Sequence, residues 1–411
     1  MQMTSANTHT TSNFLELENQ FSAHNYHPLP VVLSKGQGVY VWDVDGKKYY
    51  DFLSGYSALN QGHCHPKIIA SLILQAQKLT LTSRAFHNDQ FGEYARFITD
   101  YFGYERVLPM NTGVEAVETA IKLARRWGYQ VKGIPENKAR IVVFDDNFHG
   151  RTSTVISFSS DPGAYAGFGP YMPGFDRIPY NDLGALEKAL QNADVAAILM
   201  EPIQGEAGVV VPDDGYLSKA YDYCRQANVL FIGDEIQTGL GRTGKMLACD
   251  YENVRPDILI LGKALSGGVL PVSAVLADSE IMLTIKPGEH GSTYGGNPLA
   301  CAVAITALTV LKDEKLTENA ALMGEYFRNG LEKIRSPFIE KIRGKGLLNA
   351  VVIQQTREDA AWELCLELKE NGLLAKPTHG NKIRFAPPLS ITKTQLDECL
   401  EIIEDSLAVL K

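Results

Sequence analysis

The chain has 411 residues, of which 45% are hydrophobic and 21% charged, a composition typical of a globular protein and not of a disordered, collagen-like or disulfide-stabilised chain. Its 39 basic and 48 acidic residues give a net charge of −9 without a strongly basic segment, so nucleic acid is not an expected partner. The six cysteines are scattered without a CxxC pair, which is typical of reduced thiols in a cytoplasmic protein.

The first twelve residues are polar and contain no lysine or arginine. Signal peptides and mitochondrial presequences carry basic residues, and a signal peptide also needs an apolar stretch. We therefore expect a disordered leader and a cytoplasmic protein. No apolar run in the sequence reaches the length of a membrane-spanning helix, so no membrane partner is expected. Next along the chain, residues 39–52 alternate around Asp45-Gly46, which predicts a β-hairpin.

The pattern between residues 106 and 277 is that of an α/β protein. Short apolar runs alternate there with helical stretches, and the runs span residues 106–109, 140–144, 195–200, 229–233, 257–261 and 271–277. Strands that are apolar throughout are buried on both faces, and helices between them imply parallel neighbours. The sequence therefore predicts a large domain with a mainly parallel central sheet flanked by helices.

Long, charged amphipathic helices dominate the chain after about residue 311. They are predicted at 314–334, 359–371 and 392–410, with strand-like segments at 346–353 and 382–385 between them. This pattern indicates a smaller α+β domain. We expect an N-terminal segment, 1–45, that packs with the small domain, a large domain, 46–310, and the C-terminal small domain, 311–411.

Ligands of open α/β sheets bind beyond the carboxyl ends of the strands, so the residues after each apolar run are the candidates for a site. After the first run, Thr112 and Glu115 form an S/T-x-x-E capping box that starts a helix, and Gly113 lets a ligand approach the backbone closely. The free N–H groups of such a helix start suit a phosphate, although a plain capped helix carries the same motif.

Two ionisable side chains end neighbouring buried strands. Asp234 follows the run 229–233, and Lys263 follows the run 257–261. A buried carboxylate or amine needs a partner, so the two either form a structural ion pair or belong to a functional site. After the second run, Phe148 is placed to cover a planar ring and Arg151 to grip a carboxylate, unless they are a core phenylalanine and a surface arginine.

Together these residues match the needs of pyridoxal 5'-phosphate. A lysine amine bonds to the cofactor aldehyde, a carboxylate keeps the pyridine nitrogen protonated so that the ring can accept electrons, and a helix start holds the phosphate. Two other motifs are weaker. Gly239, Gly241 and Gly244 satisfy GxGxxG without the strand–turn–helix context of a dinucleotide site, and His63 and His65 lack a ligand-spaced partner cluster, so no metal is expected.

Several stretches of the chain resemble the class III (subgroup II) pyridoxal-phosphate-dependent aminotransferases of fold type I. The segments that start at Asp234 and at Lys263 carry the likeness, and the spacing between the two residues fits that family. It continues from about Phe21 onward in the stretches that begin at His24, Asn60, Leu81, Met110, Glu201, Gly288 and Arg384. Within the family, the chain is most similar to members that use ornithine as amine donor. It departs from the animal members at His149, where they carry a tryptophan.

The resemblance implies a role for each residue of the cofactor site. Lys263 would bond to the cofactor and carry the proton, and Asp234 would pair with the pyridine nitrogen. The other implied contacts are Gln237 to the ring hydroxyl, Phe148 stacked on the ring, and Gly113, Val114, Ser292 and Thr293 at the phosphate. Because Thr293 would reach the phosphate of the neighbouring subunit, a homodimer with active sites at the subunit interface is implied.

The resemblance also implies a substrate site. Tyr26 and Arg151 would hold the α-carboxylate of L-ornithine, and an aromatic residue at Tyr56 is typical of ornithine-using members. Glu206 would mask the charge of Arg384 while ornithine is bound and release it for the second carboxylate of 2-oxoglutarate or glutamate. The implied products are glutamate and glutamate-5-semialdehyde, which cyclises to pyrroline-5-carboxylate. The open alternatives are a class III enzyme for N-acetylornithine or 4-aminobutyrate, an aminomutase, and a non-catalytic protein with this fold.

Overall fold

The structure is a computed structural model that describes residues 10–354 and 357–410. Within these residues the strands are β1 (Leu33–Gln37), β2 (Tyr40–Asp43), β3 (Lys48–Asp51), β4 (Arg106–Met110), β5 (Arg140–Phe144), β6 (Phe175–Ile178), β7 (Val195–Met200), β8 (Leu230–Asp234), β9 (Ile258–Leu261), β10 (Ser273–Ala277), β11 (Ile339–Lys345), β12 (Leu348–Ile353), β13 (Leu373–Leu374), β14 (Lys376–Thr378) and β15 (Lys382–Phe385). The helices are α1 (Thr11–Phe21), α2 (Pro66–Ala76), α3 (Phe91–Phe102), α4 (Gly113–Trp127), α5 (Ser153–Ile156), α6 (Pro162–Tyr165), α7 (Leu183–Leu190), α8 (Tyr216–Gln226), α9 (Ser279–Met282), α10 (Pro298–Asp313), α11 (Leu316–Lys333), α12 (Ala360–Glu370) and α13 (Lys393–Ser406). A π-helical turn, Gly128–Lys132, extends α4, and 3-10 turns span Ala248–Glu252, Lys263–Ser266 and Leu407–Leu410.

The centre of the molecule is a seven-stranded sheet, with the order β4-β10-β9-β8-β7-β5-β6 in the described chain. Strands β5 to β9 pair in parallel, whereas β10 lies antiparallel between β9 and β4. Every residue of β7, β8 and β9 is buried, as expected for strands that are covered on both faces. The prediction of an α/β protein with a mainly parallel central sheet is confirmed.

The six apolar runs predicted as strands all lie in this sheet, as β4, β5 and β7 to β10. The edge strand β6 has no counterpart among the predicted runs, because Asp176 and Arg177 interrupt its apolar residues. An edge strand has a neighbour on one side only and is partly exposed, so its apolar signal is weaker than that of a central strand.

Helix α4 sets the position of the site relative to the sheet. Val117 and Ile121 on its buried face belong to the same core cluster as Ile260 of β9 and Val275 of β10. Burial of a valine or isoleucine side chain contributes roughly 1.5–3 kcal/mol, so this face holds the helix firmly against the sheet. As a result, the first turn of α4 lies at the carboxyl end of β4.

The N-terminal and C-terminal parts of the chain meet in a smaller sheet. The predicted hairpin is present as β2 and β3, which pair antiparallel around Asp45-Gly46, and Gly46 has a left-handed φ of 87°. Strand β1 extends the hairpin on one side, and β13 pairs in parallel with β3 on the other. A second sheet, β11-β12-β15-β14, packs against α11, which also contacts α13. The helices predicted after residue 311 are confirmed as α11, α12 and α13, while the domain boundaries at 45/46 and 310/311 stay predictions.

Residues 1–9 of the predicted leader lie outside the described residues. Thr11 and Ser12 belong to α1, so the expectation of disorder is wrong for these two. The side chain of Asn13 accepts a hydrogen bond from the N–H of Thr10, and the Thr11 hydroxyl donates to Asp45 of the hairpin, which ties the helix start down. None of the helices in the described part of the chain combines the length and apolarity that crossing a membrane requires.

Candidate active site

A cavity of about 200 Å³ lies at the carboxyl ends of β5, β7, β8 and β9, the edge at which open α/β sheets bind ligands. The loops that follow these strands and the start of α4 form its walls. The lining residues of this central cavity are Gly113, Val114, Phe148, His149, Gly150, Glu201, Asp234, Ile236, Gln237, Thr238 and Lys263. The fold therefore gathers most of the predicted cofactor residues in one place.

Lys263 brings an amine to the central cavity. It lies two residues beyond β9 with a left-handed φ of 43°, a conformation that costs a non-glycine residue roughly 1–2 kcal/mol. Desolvation lowers the pKa of Lys263 to about 8, with Arg384 acting in the same direction and Glu206 and Asp234 against it. A useful fraction of the amine is therefore uncharged near neutral pH, and only an uncharged amine attacks a carbonyl carbon.

Asp234, the last residue of β8, brings a carboxylate to the cavity and is 4% exposed. Its Oδ1 accepts a 3.1 Å hydrogen bond from the N–H of Ile236, and its Oδ2 lies 2.6 Å from Nδ1 of His149. Burial opposes a charged His149, but the hydrogen bond to Asp234 and the charge of that carboxylate outweigh it, so the pKa of His149 is raised. Among the described residues, His149 and not Lys263 is the side chain that pairs with Asp234.

The start of α4 offers backbone N–H groups to the cavity. The predicted capping box is present, because Thr112 Oγ1 accepts from the N–H of Glu115 at 3.4 Å and Glu115 Oε2 accepts from the N–H of Thr112 at 2.8 Å. Gly113 and Val114 follow in the first helical turn, where N–H groups have no intrahelical acceptor. A Cβ on Gly113 would lie 3.1 Å from Ile236, so glycine fits best here. This helix start suits a phosphate group.

Ser292 and Thr293 occupy a different position from the other predicted cofactor residues. Ser292 lies beside the start of α4, since Nδ2 of Asn111 donates a 2.6 Å hydrogen bond to its hydroxyl. Thr293 is exposed to solvent. Neither belongs to the described residues that line the central cavity, so this chain alone does not bring them into it.

Glu201 lies at the site, although sequence reasoning assigns no role to it. It follows β7 directly, and its Oε1 accepts a 2.8 Å hydrogen bond from the N–H of Phe148. Burial raises the pKa of Glu201 to about 7, against the charge of His149. The signal that points to Asp234, a carboxylate directly after a buried strand, is present at Glu201 too. Four other lining residues, His149, Gly150, Ile236 and Thr238, likewise have no role assigned from the sequence.

Glu206, Gln237 and Arg384 form a polar cluster at the site. Oε1 of Glu206 lies 2.7 Å from Nη1 of Arg384, and Nε2 of Gln237 donates to the same Oε1 at 3.0 Å. Arg384 is 2% exposed, and its Nε is buried without a hydrogen-bond partner among the described residues. Burial opposes a charged Glu206, but the charges of Arg384 and Lys263 and the Gln237 hydrogen bond outweigh it and lower the pKa of Glu206 to about 2. The guanidinium therefore keeps a donor for a second carboxylate.

Tyr56 covers this cluster from a left-handed turn. Residues 54–57 all have positive φ, between 50° and 73°, and Oδ1 of Asp51 accepts hydrogen bonds of 2.9 Å from the N–H groups of Leu53 and Ser54 at its start. The ring centroid of Tyr56 lies 4.9 Å from the guanidinium carbon of Arg384. Burial, and next the charge of Glu206, raise the pKa of Tyr56. No apolar or polar periodicity in the sequence predicts such a turn.

Tyr26 and Arg151, like Tyr56, are not among the described residues that line the central cavity. Both act electrostatically on the Tyr56 hydroxyl, which places them near it, but Tyr26 is 70% exposed. The guanidinium carbon of Arg151 is 5.7 Å from the ring centroid of Phe148. Arg151 and Glu206 both line a second cavity of about 290 Å³, which shares residues 148–150 with the central one. The two cavities therefore adjoin.

The residues of the central cavity fit pyridoxal 5'-phosphate group by group. Lys263 supplies an amine with a lowered pKa for the aldehyde, and Asp234 supplies a buried carboxylate for the pyridine nitrogen. Phe148 supplies an aromatic face, and the first turn of α4 supplies N–H groups for the phosphate. The aldehyde, the pyridine nitrogen and the phosphate of the cofactor therefore each have a counterpart of matching chemistry at the same cavity.

Comparisons with known proteins agree with this geometry. The family described as "Aminotransferase class-III" matches residues 21–407. A Drosophila melanogaster protein named "Ornithine aminotransferase, mitochondrial" is 62% identical, covering 95% of this chain and 90% of that protein. A solved structure of the ornithine aminotransferase from Toxoplasma gondii, in which PLP partially occupies the active site, has a TM-score of 0.96 and 52% identity, covering 98% of this chain and 95% of that one. The acetylornithine aminotransferase from Elizabethkingia anophelis has a TM-score of 0.89 and 58% identity, covering 97% and 99%.

Proposed function

Because the chain belongs to the class III aminotransferase family, we propose that it transfers the δ-amino group of L-ornithine to 2-oxoglutarate. The products are glutamate and glutamate-5-semialdehyde, and the semialdehyde cyclises to pyrroline-5-carboxylate. The enzyme depends on pyridoxal 5'-phosphate. In a cell, such a reaction would connect arginine metabolism with proline biosynthesis.

One observation carries this proposal: a buried arginine, Arg384, is neutralised by Glu206 in the same site as Lys263. The reaction has to accept first an amine whose far end is zwitterionic and then a diacid. An unmasked Arg384 would bind the α-carboxylate of ornithine and present the wrong amine to the cofactor. A carboxylate that masks the arginine while ornithine is bound, and moves away from it when the diacid binds, allows one site to accept both substrates.

The side chains around the cofactor would each have a separate role in the reaction. The cofactor, when bound, supplies an electron-accepting ring that stabilises a carbanion next to the transferred nitrogen. Lys263 would carry the proton between the substrate carbon and the cofactor. Its single Nζ atom would do this over a short distance. Asp234 would keep the ring nitrogen protonated, and Phe148 would cover the ring. Gln237 would hydrogen-bond the ring hydroxyl.

The phosphate and the substrate carboxylates need further groups. Gly113 and Val114 would bind the phosphate through backbone N–H groups, together with Ser292, and with Thr293 of a second subunit in a homodimer. The exposure of Thr293 and its absence from the cavity lining within the described chain support this arrangement. Tyr26 and Arg151 would hold the α-carboxylate of ornithine, beside Tyr56. Sedimentation analysis of the holoenzyme tests the dimer, and a monomeric active enzyme would contradict it.

A cytoplasmic location is part of the same proposal. The six cysteines are free, which fits a reducing compartment. Fractionation of the source cells, followed by detection of the protein, tests this location, and recovery in an organelle fraction would overturn it.

The second candidate is an aminotransferase for N-acetylornithine, which the similarity to the Elizabethkingia anophelis structure favours. A donor panel separates the two: L-ornithine, N-acetyl-L-ornithine and 4-aminobutyrate, each with 2-oxoglutarate. We expect the highest kcat/KM for L-ornithine, with pyrroline-5-carboxylate as product. A preference for either of the other donors would overturn the ornithine assignment. Turnover without 2-oxoglutarate would instead indicate an aminomutase. A holoenzyme that is inactive with all donors would indicate a non-catalytic protein.

A further inference from the structure

The space next to Gly205 is filled by the side chain of Gln237. A Cβ built on Gly205 would lie 1.6 Å from Oε1 of Gln237, 2.6 Å from its Cδ and 3.5 Å from its Cγ, and these are the three nearest atoms. The φ of Gly205 is outside the left-handed region, so its backbone does not demand glycine. Glycine leaves this position open to the Gln237 amide, which a larger residue would displace.

The Gln237 amide touches both members of the buried ion pair. Its Nε2 donates to Oε1 of Glu206 at 3.0 Å, and its Oε1 accepts from Nη1 of Arg384 at 3.3 Å. Gln237 is 7% exposed, so both hydrogen bonds are shielded from water. A hydrogen bond to a charged group in such a setting is stronger than one between neutral groups. The amide therefore stabilises the arrangement in which Glu206 masks Arg384.

The backbone of Gly205 is held by hydrogen bonds that do not depend on which side chain stands at this position. The N–H of Gly205 donates to Glu201 Oε2 at 3.4 Å, and its carbonyl accepts from the N–H groups of Gly208 and Val209, both at 3.2 Å. Alanine keeps all of these backbone groups. The effect of an added methyl group would therefore reach the site through the displaced Gln237 amide.

We propose that Gly205 is a positioning residue for substrate specificity: its missing side chain leaves the space in which the Gln237 amide holds Glu206 on Arg384. This inference rests on the proposed function in one respect, namely that Arg384 serves a diacid in one half of the reaction. By stabilising the masked state, the Gly205–Gln237 pair favours ornithine and raises the cost of binding a diacid. The balance between the two substrates is then set partly by a residue that touches neither.

A double-mutant cycle on the holoenzyme tests the proposal, with Gly205→Ala, Gln237→Ala and the double variant. The probe is glutarate, which has two carboxylates but no amine or keto group, so it binds without reacting, and calorimetry gives its Kd. Each single variant loses two hydrogen bonds to charged groups, so we expect glutarate to bind about tenfold tighter than in the wild type. In the Gln237→Ala background, Gly205→Ala should change Kd by less than about twofold, because the clash has gone.

The outcomes separate a specific role from a general structural one. An unchanged glutarate Kd in Gly205→Ala overturns the proposal, and so does an equal effect of Gly205→Ala in both backgrounds. Circular dichroism and the thermal midpoint are measured on all four proteins. If Gly205→Ala fails to fold while the double variant folds, the coupling to Gln237 is supported; if both fail, the proposal is overturned. Since glutarate does not react, a failure of the ornithine assignment would appear in the donor panel and not in this cycle.

Discussion

Nδ1 of His149 lies 2.6 Å from Oδ2 of Asp234, and the two residues are only 3% and 4% exposed. The other carboxylate oxygen of Asp234 accepts the N–H of Ile236, so two donors from the chain orient the group at the cavity wall. Nε2 of His149 is buried without a hydrogen-bond partner among the described residues. His149 therefore acts on the site through Asp234, as a hydrogen-bond donor that orients the carboxylate, and the same carboxylate raises the pKa of His149 against the effect of burial.

Replacing His149 should lower the affinity of the site for its cofactor. His149→Phe removes one charge-assisted hydrogen bond to Asp234, so we expect the Kd for pyridoxal 5'-phosphate to rise by about tenfold or more. His149→Gln keeps a hydrogen-bond donor, so its Kd should lie between those of His149→Phe and the wild type. The measurement is equilibrium dialysis followed by cofactor absorbance. Equal affinities in His149→Phe and the wild type would show that Ile236 alone orients the carboxylate.

Lys263→Ala should abolish turnover. The proposed function makes Lys263 both the attachment point of the cofactor and the proton carrier, so its removal is expected to lower kcat by at least about a thousandfold. Borohydride should fix the cofactor covalently to the wild type and not to the variant, which mass spectrometry detects. Lys245→Ala is the matched control, because Lys245 is exposed and lies outside the cavity lining. Multiple turnovers by Lys263→Ala would contradict the assignment of the amine.

Uptake of pyridoxal 5'-phosphate by the apoenzyme should depend on pH with a midpoint of about 8, the pKa to which desolvation lowers Lys263. The reactive form is the uncharged amine, so the rate should rise about tenfold per pH unit below the midpoint and level off above it. Stopped-flow absorbance follows the reaction. A rate that keeps rising to pH 10 would mean an amine with the ordinary pKa of lysine.

Glu201→Gln should become more stable relative to the wild type as the pH rises. Burial raises the pKa of Glu201 from 4.5 to about 7 in the folded state. The wild type therefore loses stability as the pH rises from about 4.5 through 7, whereas glutamine does not titrate. Between pH 4.5 and 7, the free energy of unfolding of Glu201→Gln should rise by about 3 kcal/mol relative to that of the wild type.

Urea unfolding at pH 4.5 and pH 7.5 measures this difference. The matched control is Glu187→Gln, since Glu187 is exposed on α7 and lies outside the cavity lining. A constant difference between Glu201→Gln and the wild type at both pH values would show that folding does not raise the pKa of the Glu201 carboxyl.

The sequence by itself determined the sheet and the residues at its edge. Asp234 and Lys263 could be found because each follows a run of apolar residues, and such a run marks a buried strand whose end opens on a ligand site. The capping box at Thr112 and Glu115 could be found for the same local reason. Resemblance to a family added the roles of Tyr26, Glu206 and Arg384, which lie far apart in the chain.

Only the tertiary structure decided which side chains meet. His149 and Asp234 are 85 residues apart, and Glu206 and Arg384 are 178 apart. Nothing in the local pattern shows that the Gln237 amide fills the space next to Gly205, or that Tyr56 lies in a left-handed turn. Hydrophobic periodicity reports how each segment is buried, because burial is a property of neighbouring residues in one element. Pairing between distant side chains depends on how those elements pack, which no single segment encodes.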